Sequence, residues 1–272
     1  MALEPQSRIV VRRPELRLAE APRYYLAGGN PLATHFFNSL NLLFPDGERF
    51  FVRSVHDQLD KIEDRQLRAD AKAFAGQEGQ HAREHEAFFR VLEGQGYEFG
   101  AHLRRFRKIN NWCSQNLPGA LRLAMTAGAE HYTATLGGLA LRSGILEDCH
   151  PSMRELITWH ALEEIEHKSV AFDVLRATHP GYFLRIFGFC LATFMIGLMT
   201  VLGAVLFVRQ DRLPSSERAR WRAALRKNRK LGVFSSGMRR QLRAYFRPSF
   251  HPNDVADGDL MEAHVGAFRF SV

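Results

Sequence analysis

Gln77-Glu78-Gly79-Gln80-His81 and His160-Ala161-Leu162-Glu163-Glu164-Ile165-Glu166-His167 contain the same spacing, Glu-x-x-His, as Glu78/His81 and Glu164/His167. On a helix, residues three apart share a face, so each pair aims a carboxylate and an imidazole at one point. Each pair is preceded by a lone acid, Glu48 before the first and Glu130, in Thr126-Ala-Gly-Ala-Glu130-His131, before the second. The order is therefore Glu, Glu-x-x-His, Glu, Glu-x-x-His. Glu48 to Glu78 is 30 residues and Glu130 to Glu164 is 34, each enough for a helix, a turn and a return. Glu78 to Glu130 is 52, which leaves room for a crossover. Four carboxylates and two imidazoles make a cage for two divalent cations, the four negative charges balancing four positive ones. The neighbours Phe50, Phe51, Phe74, Ala127 and Leu162 are apolar, and a carboxylate buried among them needs a partner. Without a metal the acids repel one another and some take up protons.

Outward from these stretches the chain reads as all-α. Helices are predicted from about Gly47, with Asp46 as cap, over about 64–92, over about 117–141 with Pro118 in the first turn, and over about 152–177. Gly94, Gly96 and Gly100 mark a loop, Gly144 and Pro151 a turn, and Pro180 and Gly181 an end. No run alternates with period two. The reading divides the chain into an N-terminal arm (1–45) broken by Pro14, Pro22 and Pro31, a helical bundle (46–181), an apolar helix (182–208) and a basic helical tail (209–272).

Composition narrows the function. With 46% hydrophobic and 24% charged residues, the 272-residue chain has enough apolar content for a core, which excludes a disordered or collagen-like protein. Cys113, Cys149 and Cys190 are too few and too scattered for a disulfide framework or a cysteine zinc site, and a reducing compartment is the default. The first residues lack an apolar core, so no secretory signal is expected. The net charge of +8 lies entirely in residues 209–272, which hold 14 Lys/Arg and 6 Asp/Glu. Just before them, Ile186 to Val208 is 23 residues without a charge, long enough to cross a bilayer core of about 30 Å. A spanning, re-entrant or membrane-surface helix fits this run, and so does a helix buried in protein. The basic residues after it suit anionic lipid on the cytoplasmic side of an inner membrane, with a soluble cytoplasmic protein as the alternative. Nucleic acid is not an expected partner, because no reading motif accompanies the charge.

Residues 46–175 resemble the ferritin-like di-iron carboxylate proteins, which implies a ferritin-like four-helix bundle. More narrowly, Asn41-Leu-Leu-Phe-Pro-Asp-Gly-Glu48, Gln77-Glu78-Gly-Gln-His81, His160-Ala-Leu-Glu-Glu164-Ile-Glu-His167 and the tail segment Phe250-His251-Pro252 resemble the bacterial predicted metal-dependent hydrolases. The run His160-x3-Glu164-x2-His167 is similar to that of the di-iron arylamine N-oxygenases, a resemblance that implies His160 as a further ligand. The metal set expected is thus Glu48, Glu78, His81, Glu130, His160, Glu164 and His167, with His85 the rival of His160. Two iron ions suit these donors, with manganese or zinc as alternatives. The main expectation is an oxygenase or oxidase that uses O2, an external electron donor and an apolar or amphiphilic substrate at the membrane. A dinuclear hydrolase is the first alternative, a non-catalytic metal-binding membrane protein the second, and a homodimer is left open. By helical angle, His131 is expected just outside the ligand set, His56 as a satisfied or exposed histidine, Glu163 and Glu166 in solvated roles, and Asp173 half a turn from the ligand face. Gly76 and Gly79 beside Glu78 point to a close approach by a neighbouring helix, to a substrate channel or to a local kink.

Overall fold

The computed structural model describes residues 5–227, 236–265 and 270–271, and these are almost wholly helical. An extended segment carrying β1 (Arg13–Pro14) leads into α1 (Pro31–Asn41), followed by α2 (Phe44–His56) and α3 (Arg65–Gly94). Next come α4 (Gly100–Asn116), α5 (Gly119–Arg142), α6 (Pro151–His167), α7 (Val170–Thr178) and α8 (Tyr182–Gln210). The tail supplies α9 (Ser215–Lys227), α10 (Ser236–Ala244) and α11 (Gly258–Val265). Its two-residue β2 (Phe270–Ser271) pairs antiparallel with β1, the one β pairing among the described residues.

The starts of these helices follow from local chemistry. Asn30 caps α1 by accepting from the Leu32 and Ala33 amides, with Pro31 in the first turn, where its missing N–H is harmless. Asp64 does the same for α3 through Gln66 and Leu67. Asp46 does not cap α2, which begins at Phe44 with Pro45 in its first turn, so Asp46 sits inside the helix near its positive end. The helix expected over 152–177 is interrupted at Lys168–Ser169, where the Lys168 ammonium is drawn to the Val255 carbonyl (2.7 Å) and Asp257 (3.0 Å) of the tail.

Four helices define the centre. α2 packs on α3 and α5, and α6 packs on the same two, which closes a ring of α2, α3, α6 and α5. The N-terminal segment lies across α3, and Val11 fills the space over Gly76, where a Cβ would stand 2.7 Å from the valine methyl. The close approach signalled by Gly76 is therefore made by the N-terminal arm. Gly79 faces open space.

α8 is the one helix among the described residues long and apolar enough to cross a membrane. It lies against α5 and α1 and is part of the protein body. A Cβ on Gly188 would meet the Ala124 backbone at 2.5 Å, and one on Gly128 would meet Phe189 Cα at 2.6 Å, so α5 and α8 touch backbone to backbone. Both ends of α8 are pinned. Asp211, just past its C-terminus, accepts from Arg23 (2.7 Å), Tyr24 (2.8 Å) and Tyr97 (2.7 Å) and pairs with His35. Arg185 in its first turn donates to the carbonyl of Arg247 at 2.8 Å. The tail is likewise docked: α10 packs on α5, and α11 packs on α6 and α5.

Candidate metal centre

Inside the ring of α2, α3, α5 and α6, all seven expected residues converge. Their donor atoms fall into overlapping groups with separations under 4.8 Å: Glu78, Glu130 and His167; Glu48, Glu78 and His81; His81, His160 and Glu164; Glu48, His85 and His160. All are buried. The eighth member, His85, is as central as His160, and the His85 Nε2 and His160 Nδ1 atoms stand 2.5 Å apart.

Each imidazole is aimed by a partner on its far side. Glu163 holds His81 Nε2 at 3.0 Å, which turns Nδ1 toward Glu78 (3.5 Å) and Glu164 (3.9 Å). The Gln77 side-chain oxygen accepts from His167 Nδ1 at 2.9 Å, which leaves Nε2 facing Glu130 at 3.2 Å and Glu78 and Glu164 at 3.5 Å. Asn41 holds His85 Nδ1. His160 Nε2 lies 2.7 Å from Glu164. Such outer partners fix ring orientation and tautomer in metal sites.

Glu163 and Glu166 therefore depart from the solvated roles expected of them. Glu163 is fully buried and orients His81, and Arg12 of the N-terminal segment reaches both acids, at 3.5 Å from Glu163 and 2.7 Å from Glu166. Helical angle places Glu163 off the ligand face correctly. It does not reveal that a neighbouring helix carrying His81 covers that side. His131 is buried, as its apolar helix implies, but it donates to the Gln241 carbonyl at 3.0 Å and stacks on Tyr245, so it belongs to the contact with α10. Burial pushes its pKa down to about 4. His56 is exposed as expected. Asp173 pairs with His251 at 2.8 Å, which ties the Phe250-His251-Pro252 segment to α7. Thr133, which sequence reasoning passed over, donates to Glu164 at 2.5 Å and also bonds the Glu130 carbonyl.

The donor set suits divalent cations. Both carboxylate oxygens of Glu48, Glu78 and Glu130, the Nδ1 of His81 and the Nε2 of His167 are buried with no hydrogen-bond partner. Orphaned buried carboxylates are costly unless a cation or proton meets them. The charges respond accordingly. Burial, then the neighbouring Glu78, Glu164 and Glu130, push Glu48 well above the usual carboxylate range. Burial raises Glu78 and Glu130 to about 8. Burial also opposes the charge on Glu164, but the hydrogen bond from His160 and the charge of the facing His167 hold it well below its ordinary value. Burial, with neighbouring imidazoles, keeps His85 and His160 low, whereas Glu130 and Glu164 overcome burial and hold His167 well above its ordinary value.

A small apolar crevice of about 70 Å³, partly open to solvent, lies beside this cluster. Gly47, Phe50, Ala129 and Thr133 are among the residues that line it, close in sequence or space to Glu48, Glu130 and Glu164. Ala192, Met195 and Ile196 of α8 also line it.

No curated protein and no solved structure matches the chain. A family model described as predicted metal-dependent hydrolase matches residues 10–256, from the N-terminal segment through the His251 motif. That span covers the ring, α8 and most of the tail, and by it the chain belongs to the predicted metal-dependent hydrolase family.

Proposed function

We propose that this chain is a dinuclear metal-dependent hydrolase with a ferritin-like core, acting on an amphiphilic substrate whose apolar part occupies the crevice against α8. The ligands in this reading are Glu48, Glu78, His81, Glu130, Glu164 and His167, completed by His160 and His85. The observation that carries it is the set of orphaned oxygens on Glu48, Glu78 and Glu130, turned toward imidazole nitrogens that Glu163, Gln77 and Asn41 aim. The family match supports the hydrolytic reaction class.

Bound divalent ions would supply Lewis acidity and make a water molecule easier to deprotonate. The chain's own residues do the rest. Glu163 keeps the His81 proton on Nε2 and so leaves Nδ1 free, and Gln77 does the converse for His167. The Thr133 hydroxyl fixes one oxygen of Glu164 while His160 holds the other. His85 Nε2 and His160 Nδ1 face each other at the Glu48 edge of the cluster, where a bound cation would take the place of the proton between them. The phenyl and methyl groups of the crevice exclude bulk water and orient an acyl or alkyl chain.

A second reading, a di-iron oxygenase with an external reductant, is favoured by one feature: four carboxylates with imidazoles are donors suited to iron, and cysteine is absent from the set. The two readings separate under strict anoxia. Protein loaded with zinc or manganese should hydrolyse medium-chain p-nitrophenyl esters without O2, and a chelator should abolish the turnover. No anaerobic turnover with any of the three metals, together with substrate-dependent O2 uptake by the iron form, would select the oxygenase.

A further inference from the structure

A second cavity lies at the other end of α8 from Asp211, where α7 ends and α8 begins. Arg176, His179, Gly181, Arg185 and the segment Pro248–Phe250 line it. Arg185 is only 7% exposed, yet among the described residues it forms no ion pair, and its Nε has no hydrogen-bond partner. Its terminal nitrogens reach the carbonyls of Arg247 and Phe250, at 2.8 and 3.5 Å, and its guanidinium rests near the Tyr182 and Tyr245 rings. A buried guanidinium without a carboxylate is unusual, because the desolvated charge needs compensation. Asp173 and Asp254, the acids on the packed elements, are taken by His251 at 2.8 Å and Arg247 at 3.5 Å. Arg176, one wall further out, is exposed and likewise unpaired among the described residues. Gly181 begins α8 with no side-chain cap, so the first amides of a 29-residue helix open at the same place. Two guanidinium groups, an imidazole and a helix N-terminus around one cavity make a site for a phosphate ester.

The surroundings decide which phosphate. The outward face of α8 is an unbroken apolar stripe, Phe183, Phe187, Phe194, Leu198, Val201 and Val205, with Phe183 84% and Phe194 64% exposed. It starts at the lip of the cavity and runs along the helix, about 33 Å at 1.5 Å per residue. A face this large and apolar on one side of a helix whose other side is packed on α5 and α1 marks an interaction surface. We propose that the cavity framed by Arg176, His179 and Arg185 binds the headgroup phosphate of an anionic bilayer lipid, with the stripe of α8 seated among the acyl chains. α8 would then lie in the membrane interface with its inner side still part of the bundle. This proposal is independent of the chemistry at the metal cluster.

The test uses the full chain and vesicle flotation. Wild-type protein should float with phosphatidylglycerol-containing vesicles and partition at least tenfold less onto pure phosphatidylcholine. Arg176→Glu, at an exposed position, should lower partition onto the anionic vesicles about tenfold, and Arg176→Lys should largely restore it. Arg185→Lys keeps the charge but removes Nε, and should weaken anionic-lipid preference while leaving the circular-dichroism melt within a few degrees. Phe187→Ser should lower partition onto both vesicle types. Equal partition of wild type onto the two vesicle types, or an unchanged Arg176→Glu variant, would overturn the proposal. So would thermal protection by inorganic phosphate without any flotation, which would assign the site to a soluble phosphate. A dimer held by the α8 stripe that stays with the soluble fraction would overturn it as well.

Discussion

Glu163 shows how much of a site rests on residues that never reach its centre. Its carboxylate is fully buried and touches His81 Nε2 at 3.0 Å, and through that contact it decides which nitrogen His81 offers to the cluster. Removing the negative charge while keeping the shape should loosen the ring and weaken metal binding. Glu163→Gln is expected to lower metal affinity about 10- to 100-fold with little change in fold, as measured by competitive metal titration. The converging residues are legible from spacing, since i,i+3 pairs on a helix must share a face whatever the tertiary arrangement. Glu163 was not, because its role depends on which neighbouring helix covers it. His85 shows the same limit from the other side. Four residues past His81 it sits on the correct face, but only packing of α3 against α6 brings its Nε2 to 2.5 Å from His160. His131 lies next to Glu130 in sequence yet serves the tail, because one residue turns it about 100° around α5.

Helices with strong caps or long apolar faces were evident from sequence, and α4 was the main omission. Gly100–Asn116 is rich in Arg, Lys and Asn, so its polarity hides an apolar edge of Leu103, Phe106, Ile109 and Cys113 at three- and four-residue spacing. α1 lies within the expected N-terminal arm, and Asn30-Pro31 is its start signal. The break between α6 and α7 could not be read, because the tail residues that draw Lys168 aside lie almost 90 positions away. The apolar run was recognised, but its function depends on which side faces protein. The α5–α8 contact is testable through two glycines of the same helix. Gly188→Ala would place a methyl 2.5 Å from the Ala124 backbone and should destabilise by about 1–3 kcal/mol. Gly197→Ala faces open space and should be neutral or stabilising by up to about 1 kcal/mol. Chemical denaturation of the two variants measures the difference, and equal effects would show that α8 does not pack as closely as described.

At the scale of the whole molecule, folding assembles a cluster of like charges that is unfavourable without cations. Its pH dependence follows from the signs. In the metal-free folded state Glu78 and Glu130 keep their protons up to about pH 8, whereas in the unfolded chain they lose them near 4.5. Over that interval the folded state binds more protons, so its stability falls as pH rises. His167, also raised, acts in the same direction. His85 and His160 are lowered and act oppositely, but only below their ordinary value of 6.5. The clean window is therefore pH 6.5 to 8, where chelator-treated protein should lose stability steadily as pH rises while metal-loaded protein changes little. Urea midpoints across this range check it, and matching curves with and without metal would contradict the charge assignment. The same cations would link α2, α3, α5 and α6 at one point, which makes the metal both a reagent and a clamp for the ring.

Metal content per chain tests the convergence of these side chains most directly. Protein reconstituted with iron, manganese or zinc and freed of excess should hold two ions per chain by elemental analysis. Glu130→Ala, which also relieves repulsion among the remaining acids, should lose at least one ion while its metal-free form stays folded. Wild-type protein that holds no ion in stoichiometric amount, or a Glu130→Ala variant that still retains two, would contradict the convergence of these side chains on a shared pair of cations.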